Sequence, residues 1–118
     1  MIPEAGDIAW FDFNPVKGTE QAGRRPGLIL TTAGYHERSG RAVVCPITSK
    51  GAHWTFNVTL PAGLKTKGWV LVDQVRTVER ADRMFDWIET VPAELLAEVR
   101  GRLAALLNIY VDNRDDAS

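Results

Sequence analysis

In 118 residues the chain has one cysteine, two histidines and no long apolar run. A single thiol, Cys45, cannot close an internal disulfide, which suits a reducing compartment. Without a long apolar stretch there is no membrane span, and the first residues lack the basic-then-apolar pattern of a secretory signal. The expected location is therefore the cytoplasm. Cys45, His36 and His53 are too few and too widely spaced for a zinc site, and the carboxylates are scattered where magnesium would need a cluster. The expectation is no metal and no cofactor. Charge of one sign is also lacking: the formal net charge is −1, with 11 Lys/Arg against 10 Asp/Glu in residues 1–90 and 3 against 5 in residues 91–118. That balance excludes a generic polyanion binder, so any nucleic-acid site has to be a local cluster.

What is present is an ordinary globular composition, 45% hydrophobic and 25% charged, sized for one domain. Short apolar runs alternate with Gly/Pro punctuation, which reads as strands: Gly6–Phe13, Gly27–Thr31, Ala42–Ile47 broken at Pro46, Trp54–Leu60, Trp69–Val72 and Met84–Ile88. In the first strand Ala9, Phe11 and Phe13 line one face while Ile8 and Trp10 line the other. Apolar residues on both faces suggest that one meets the core and the other a second subunit. Ala33–Arg41 reads as a turn or short helical turn, and Asp73–Thr77 as a continuation or kink of the strand before it. The one clear helix runs from Pro92 to about Tyr110, with Leu95, Val99, Leu103, Leu106 and Tyr110 on one face. The reading is one α+β, mostly β domain over residues 1–111, followed by an acidic, disordered tail at 112–118.

Between the first two strands lies the stretch Asn14-Pro15-Val16-Lys17-Gly18-Thr19-Glu20-Gln21-Ala22-Gly23-Arg24-Arg25-Pro26, which has almost nothing to bury. Long connections of this kind in small domains are functional or disordered, so the choice lies between a binding loop and a mobile hairpin with solvated charges. Pro26 pushes Arg25 toward an extended backbone, giving a planar phosphate-matching guanidinium a restrained base. Neighbours on an extended chain point apart, so Arg24 is expected to face away from a site that Arg25 faces. A Cys45 pair with His36 or His53 is set aside, because Cys45 sits in an apolar strand and both histidines sit in polar turns, where they are expected to be solvated.

The same stretch, with Gly6-Asp7-Ile8, Trp10, Val43-Val44-Cys45-Pro46-Ile47-Thr48-Ser49 and Val72-Asp73-Gln74-Val75-Arg76-Thr77, closely resembles the MazF/PemK-like toxins. These are the endoribonuclease toxins of type II toxin–antitoxin pairs, and the resemblance spans roughly residues 6–107. It implies an SH3-like barrel of the MazF/PemK/CcdB type with a C-terminal helix, acting as a homodimer. It implies metal-independent, sequence-specific cleavage of single-stranded RNA, with the ribose 2′-OH attacking phosphorus to leave a 2′,3′-cyclic phosphate and a 5′-OH. The partners implied are single-stranded RNA and a cognate antitoxin.

Arg25 and Thr48 fall on the family's catalytic pair. Thr19, Glu20, Asp73 and Gln74 become possible catalytic or RNA-positioning residues, and Lys17, Gln21, Arg76 and Arg80 become candidates to track RNA. Trp54 and Trp69 are candidates for base stacking or for packing. Two departures leave the general base unassigned: Leu71 stands where some relatives carry an arginine that assists the aspartate, and Thr19 where some carry histidine. Two alternatives are a CcdB-like gyrase-binding toxin and a non-catalytic SH3-like module. The intact first motif and the Asp116-Ala117-Ser118 ending, in place of Trp-Gly-Ile, speak against the former.

Overall fold

The computed structural model describes residues 2–13 and 23–110. In chain order the elements are β1 (Asp7–Asp12), β2 (Arg24–Ile29), α1 (Ala33–Ser39), β3 (Arg41–Thr48), β4 (Asn57–Thr59) and β5 (Trp69–Leu71). A 3-10 turn (Val72–Gln74), β6 (Arg76–Glu79), α2 (Arg80–Arg83), β7 (Met84–Thr90) and α3 (Ala93–Leu106) complete them. The strands form one antiparallel sheet in the order β4-β5-β3-β2-β1-β7, with β6 also on β3. This is the expected mostly β arrangement with a C-terminal helix.

β3 holds the sheet together. One edge pairs with β2, while the other pairs first with β6 (Arg41↔Glu79 to Val44↔Arg76) and then with β5 (Ile47↔Val70, Thr48↔Trp69). Pro46 was expected to break β3, yet the strand runs through it. The interruption falls instead on the partner, where the chain turns through Val72–Gln74 opposite Cys45 and Pro46. Proline removes a ladder donor, and the partner strand leaves where that donor is missing.

Successive residues feed opposite faces of the curled sheet. Ile8, Leu28, Leu30, Cys45, Ile47, Val58 and Val70 pack against Leu95 and Val99 of α3, while Ala9, Phe11, Ile29, Ala42, Val44 and Val78 form a second cluster with Phe13 and Met84. Both faces of β1 are therefore used within this chain, and of its expected outer pair only Trp10 is exposed. α3 ends at Leu106, a turn before the expected Tyr110. Leu106 and the apolar residues that follow it, Leu107, Ile109 and Tyr110, are exposed, so only the first part of the stripe meets the sheet.

His36 was expected to be solvated and is instead fully buried. Its Nδ1 lies 2.9 Å from the Pro3 carbonyl and its Nε2 lies 2.7 Å from Thr31 Oγ1. These contacts make it a clamp between α1 and the N-terminal segment. The four-residue α2 had no sequence signal.

No ladder joins β4 to β7 among the described residues. A carboxylate spans the gap. Glu89 of β7 accepts hydrogen bonds from Lys65 N (2.9 Å), Thr66 N (2.7 Å) and Thr66 Oγ1 (2.6 Å), all on the connection between β4 and β5. Burial pushes this carboxyl up, but the combined hydrogen bonds from Thr66 and Lys65 outweigh it and hold Glu89 below its ordinary 4.5. A carboxyl depressed on folding stabilises the fold above its unfolded value and loses that contribution as pH falls through the folded one. Wild type should therefore melt above Glu89→Gln at neutral pH, and the gap should narrow as pH is lowered below 4.5. Thermal melts across that range measure it, and a gap independent of pH would contradict the clasp.

Candidate active site

Arg24, Arg25 and Pro26 belong to β2 and not to the loop before it. The ladder pairs Arg24 with Asp12, Arg25 with Phe11 and Pro26 with Trp10, so the backbone beneath both arginines is fixed. Arg24 was expected to face away from the site that Arg25 faces, yet it lines one of the clefts that Arg25 lines. The Arg24 guanidinium lies 3.9 Å over the Phe85 ring of β7, a cation–π contact. Arg25 is half-buried and lines two adjoining clefts, and no carboxylate among the described residues pairs with it.

One cleft, about 290 Å³, is lined by Phe13, Arg25, Pro46, Gln74 and Arg76. The other, about 250 Å³, is lined by Arg24, Arg25, Ile47, Thr48, Ser49 and Lys50. Four cations line the pair, and among the described residues no carboxylate appears in either lining. In a chain of net charge −1 this is the local cluster that an anionic ligand requires.

Thr48 closes β3. Its Oγ1 accepts the Lys50 N–H at 3.2 Å, which turns the hydroxyl and leaves its own hydrogen free to donate. Its backbone is gripped by the residue that leads into β5. Gly68 has φ +121°, and a Cβ built there would fall 2.0 Å from the Thr48 carbonyl oxygen. Only glycine permits both the dihedral and that approach. Arg76 donates from Nη1 to the Phe13 carbonyl at 3.3 Å, joining the start of β6 to the end of β1. Gln74 is presented by the 3-10 turn opposite Pro46. Its neighbour Asp73 is exposed and accepts from Trp54 Nε1 at 3.0 Å. Leu71 is buried, so no side chain at that position can assist Asp73.

The structure thus gathers Arg25, Thr48, Gln74 and Arg76, with Asp73 beside them. Arg80 stands apart. It donates from Nη2 to the His36 carbonyl at 3.4 Å and lines a different cavity with Gly40, Ala81, Met84 and Phe85, so its observed role is to hold α1. Lys17, Thr19, Glu20 and Gln21 lie outside the described residues, as does the 112–118 tail. Sequence reasoning missed Lys50, whose signal was a cation two residues after Thr48, and Gly68, for which there was none. Trp69 is half-buried against Gly51, where a Cβ would come within 2.3 Å of its ring.

Burial pushes the Cys45 thiol up to about 12, with the Asp73 charge adding to the shift, so it holds no thiolate at neutral pH. Among the described residues no group of three or more His, Cys, Asp or Glu converges, and no helix is long and apolar enough to cross a membrane.

The sequence model of the PemK-like, MazF-like toxins of type II toxin–antitoxin systems matches residues 4–107. The chain belongs to this family. It is similar to the endoribonuclease toxin MazF of Escherichia coli K12, with 33% identity covering 90% of this chain and 95% of that one. It is also similar to the E. coli endoribonuclease PemK, with 38% identity covering 88% and 81%. Among solved structures, MazF (form I) of Deinococcus radiodurans superimposes with a TM-score of 0.82 at 43% identity, covering 92% of this chain and 99% of that one. A MazE-MazF crystal (form II) from the same organism gives 0.79 at 38% identity, covering 93% and 99%.

Gly68→Ala should move the end of β3 and cost roughly 2 kcal/mol of stability or more, from strain at a positive φ together with backbone overlap. Urea unfolding measures this, and a variant as stable as wild type would show that the contact does not hold Thr48.

Proposed function

We propose that this chain is the toxin of a type II toxin–antitoxin pair, a metal-independent endoribonuclease that cuts single-stranded RNA and so inhibits translation and growth. One observation carries the reading: the Arg25 guanidinium and the Thr48 hydroxyl flank a cationic cleft that no carboxylate lines among the described residues. A phosphodiester fits such a site. Neither a gyrase-binding module nor a plain SH3-like module needs a half-buried arginine beside an oriented hydroxyl, and the relatives above are named endoribonucleases.

In the reaction the ribose 2′-oxygen bonds to phosphorus and the P–O5′ bond breaks. The 2′-OH proton leaves and the 5′ oxygen gains one, so neither water nor metal is consumed. Negative charge gathers on the equatorial oxygens in the transition state. Arg25 and Thr48 donate there, and each such donor is worth about 10²–10³ in rate. Arg25 stays charged at neutral pH, so its role is electrostatic. Arg76 and Lys50 hold flanking phosphates, and Gln74 is placed to meet a base edge.

The working form is a homodimer, for which Trp10 and the exposed end of α3 supply apolar surface. The antitoxin competes with RNA by laying an acidic segment in the same cleft. The toxin acts in the cytoplasm, where mRNA is available.

Arg25→Ala and Thr48→Ala should each lower cleavage by about two orders of magnitude or more with little change in melting temperature, and Arg24→Ala by much less. Equal losses at Arg24 and Arg25 would mean that the wrong arginine has been assigned. A single 2′-deoxy residue 5′ to the scissile phosphate should abolish cleavage while binding falls modestly, and EDTA should have no effect. Cleavage of the deoxy strand, or inhibition by EDTA, would indicate hydrolysis by a bound water instead.

A further inference from the structure

We propose that Trp54 is a nucleobase-stacking platform beside the Arg25 clefts, and that Asp73 is the residue that positions it. The inference rests on the endoribonuclease reading and extends it to a base subsite. Trp54 is 51% exposed, an unusual state for so large an apolar side chain, yet it is held from several directions. Its Nε1 donates to Asp73 Oδ2 at 3.0 Å. Its ring meets Phe56 edge-on, with centroids 5.8 Å apart at 66°.

The turn beneath it is also fixed. The Trp54 carbonyl accepts the Asn57 N–H at 2.9 Å, Asn57 Nδ2 donates to the Ala52 carbonyl at 2.8 Å, and the Phe56 carbonyl accepts the Val72 N–H at 2.9 Å. An indole pinned at its heteroatom and on one side, and half open to solvent, has its orientation fixed before any ligand arrives, which lowers the ordering cost of binding. Asp73 immediately precedes Gln74, and Gln74 shares its cleft with Arg25 and Arg76. An aromatic face next to a cationic groove is the arrangement that binds single strands, with phosphates on the cations and an unpaired base on the ring. Duplex RNA offers no free base face, so the ligand is an unpaired nucleobase of the strand whose phosphate lies at Arg25.

This assignment gives Asp73 a different task from proton abstraction. Its carboxylate accepts the indole N–H, a role that an asparagine oxygen can also fill. A general base cannot be replaced by asparagine.

The test uses the full chain with RNA oligonucleotides spanning a mapped cleavage site, one base at a time replaced by an abasic residue. Trp54→Ala should raise KM about 10-fold or more with kcat little changed, and this penalty should vanish on the one oligonucleotide that lacks the stacked base. Trp54→Phe, which keeps a π face and conserves packing, should fall between wild type and Trp54→Ala, and it carries the test if the alanine variant melts early. Asp73→Asn should cleave nearly as wild type, and Asp73→Ala should raise KM on intact RNA but add nothing to Trp54→Ala.

A Trp54→Ala penalty equal at every abasic position, or no penalty at all, would overturn the platform. A kcat loss of about 100-fold or more in Asp73→Asn would overturn the positioning role and put Asp73 in the proton transfer. Wild type that cleaves none of the RNAs would instead sink the endoribonuclease reading, which is a separate outcome.

Discussion

Everything in this fold leans on the two-sided pairing of β3. Its inner edge is given wholly to β2, while its outer edge is divided between β6 and β5. The division forces the chain to turn at Val72–Gln74, and that turn puts Gln74 at the cleft and Asp73 at the Trp54 indole nitrogen. The same strand ends in Thr48, so the hydroxyl, the amide and the carboxylate near the site all trace to one ladder and its interruption. Because β2 carries Arg25 on the opposite edge of β3, the strand also fixes the separation between the arginine and the hydroxyl.

The electrostatics follow from this geometry more than from composition. A chain of net charge −1 builds a cationic site by bringing Arg24, Arg25, Lys50 and Arg76 from two strands and a turn to one place. Three of the described carboxylates are occupied elsewhere. Glu89 receives three hydrogen bonds across the open side of the sheet, Asp7 ties Thr90 to the start of β1, and Asp73 holds an indole.

Much of this was legible beforehand. Alternation placed β1, β3 and β7 nearly to the residue, and the motif around Arg25 and Thr48 pointed to the pair that the sheet brings to one cleft. What escaped notice depended on contacts between distant segments. Pro46 reads locally as a strand breaker, but the break was transferred to its partner strand. His36 sits in a stretch that reads as polar and solvated, yet the Pro3 carbonyl, remote in sequence, and the Thr31 hydroxyl supply the hydrogen bonds that allow it to be buried. Gly68 is one glycine among ten, and only the neighbouring Thr48 carbonyl shows why a side chain cannot stand there. The helix was drawn too long because its apolar spacing continues after the sheet beneath it has ended.

Arg25 stands on a paired strand, one residue inside the first rung, and not on the connection that precedes it. The footing of its side chain is therefore set by the β1 ladder and by the Phe11 opposite it, so the guanidinium is aimed at the two clefts by sheet register alone.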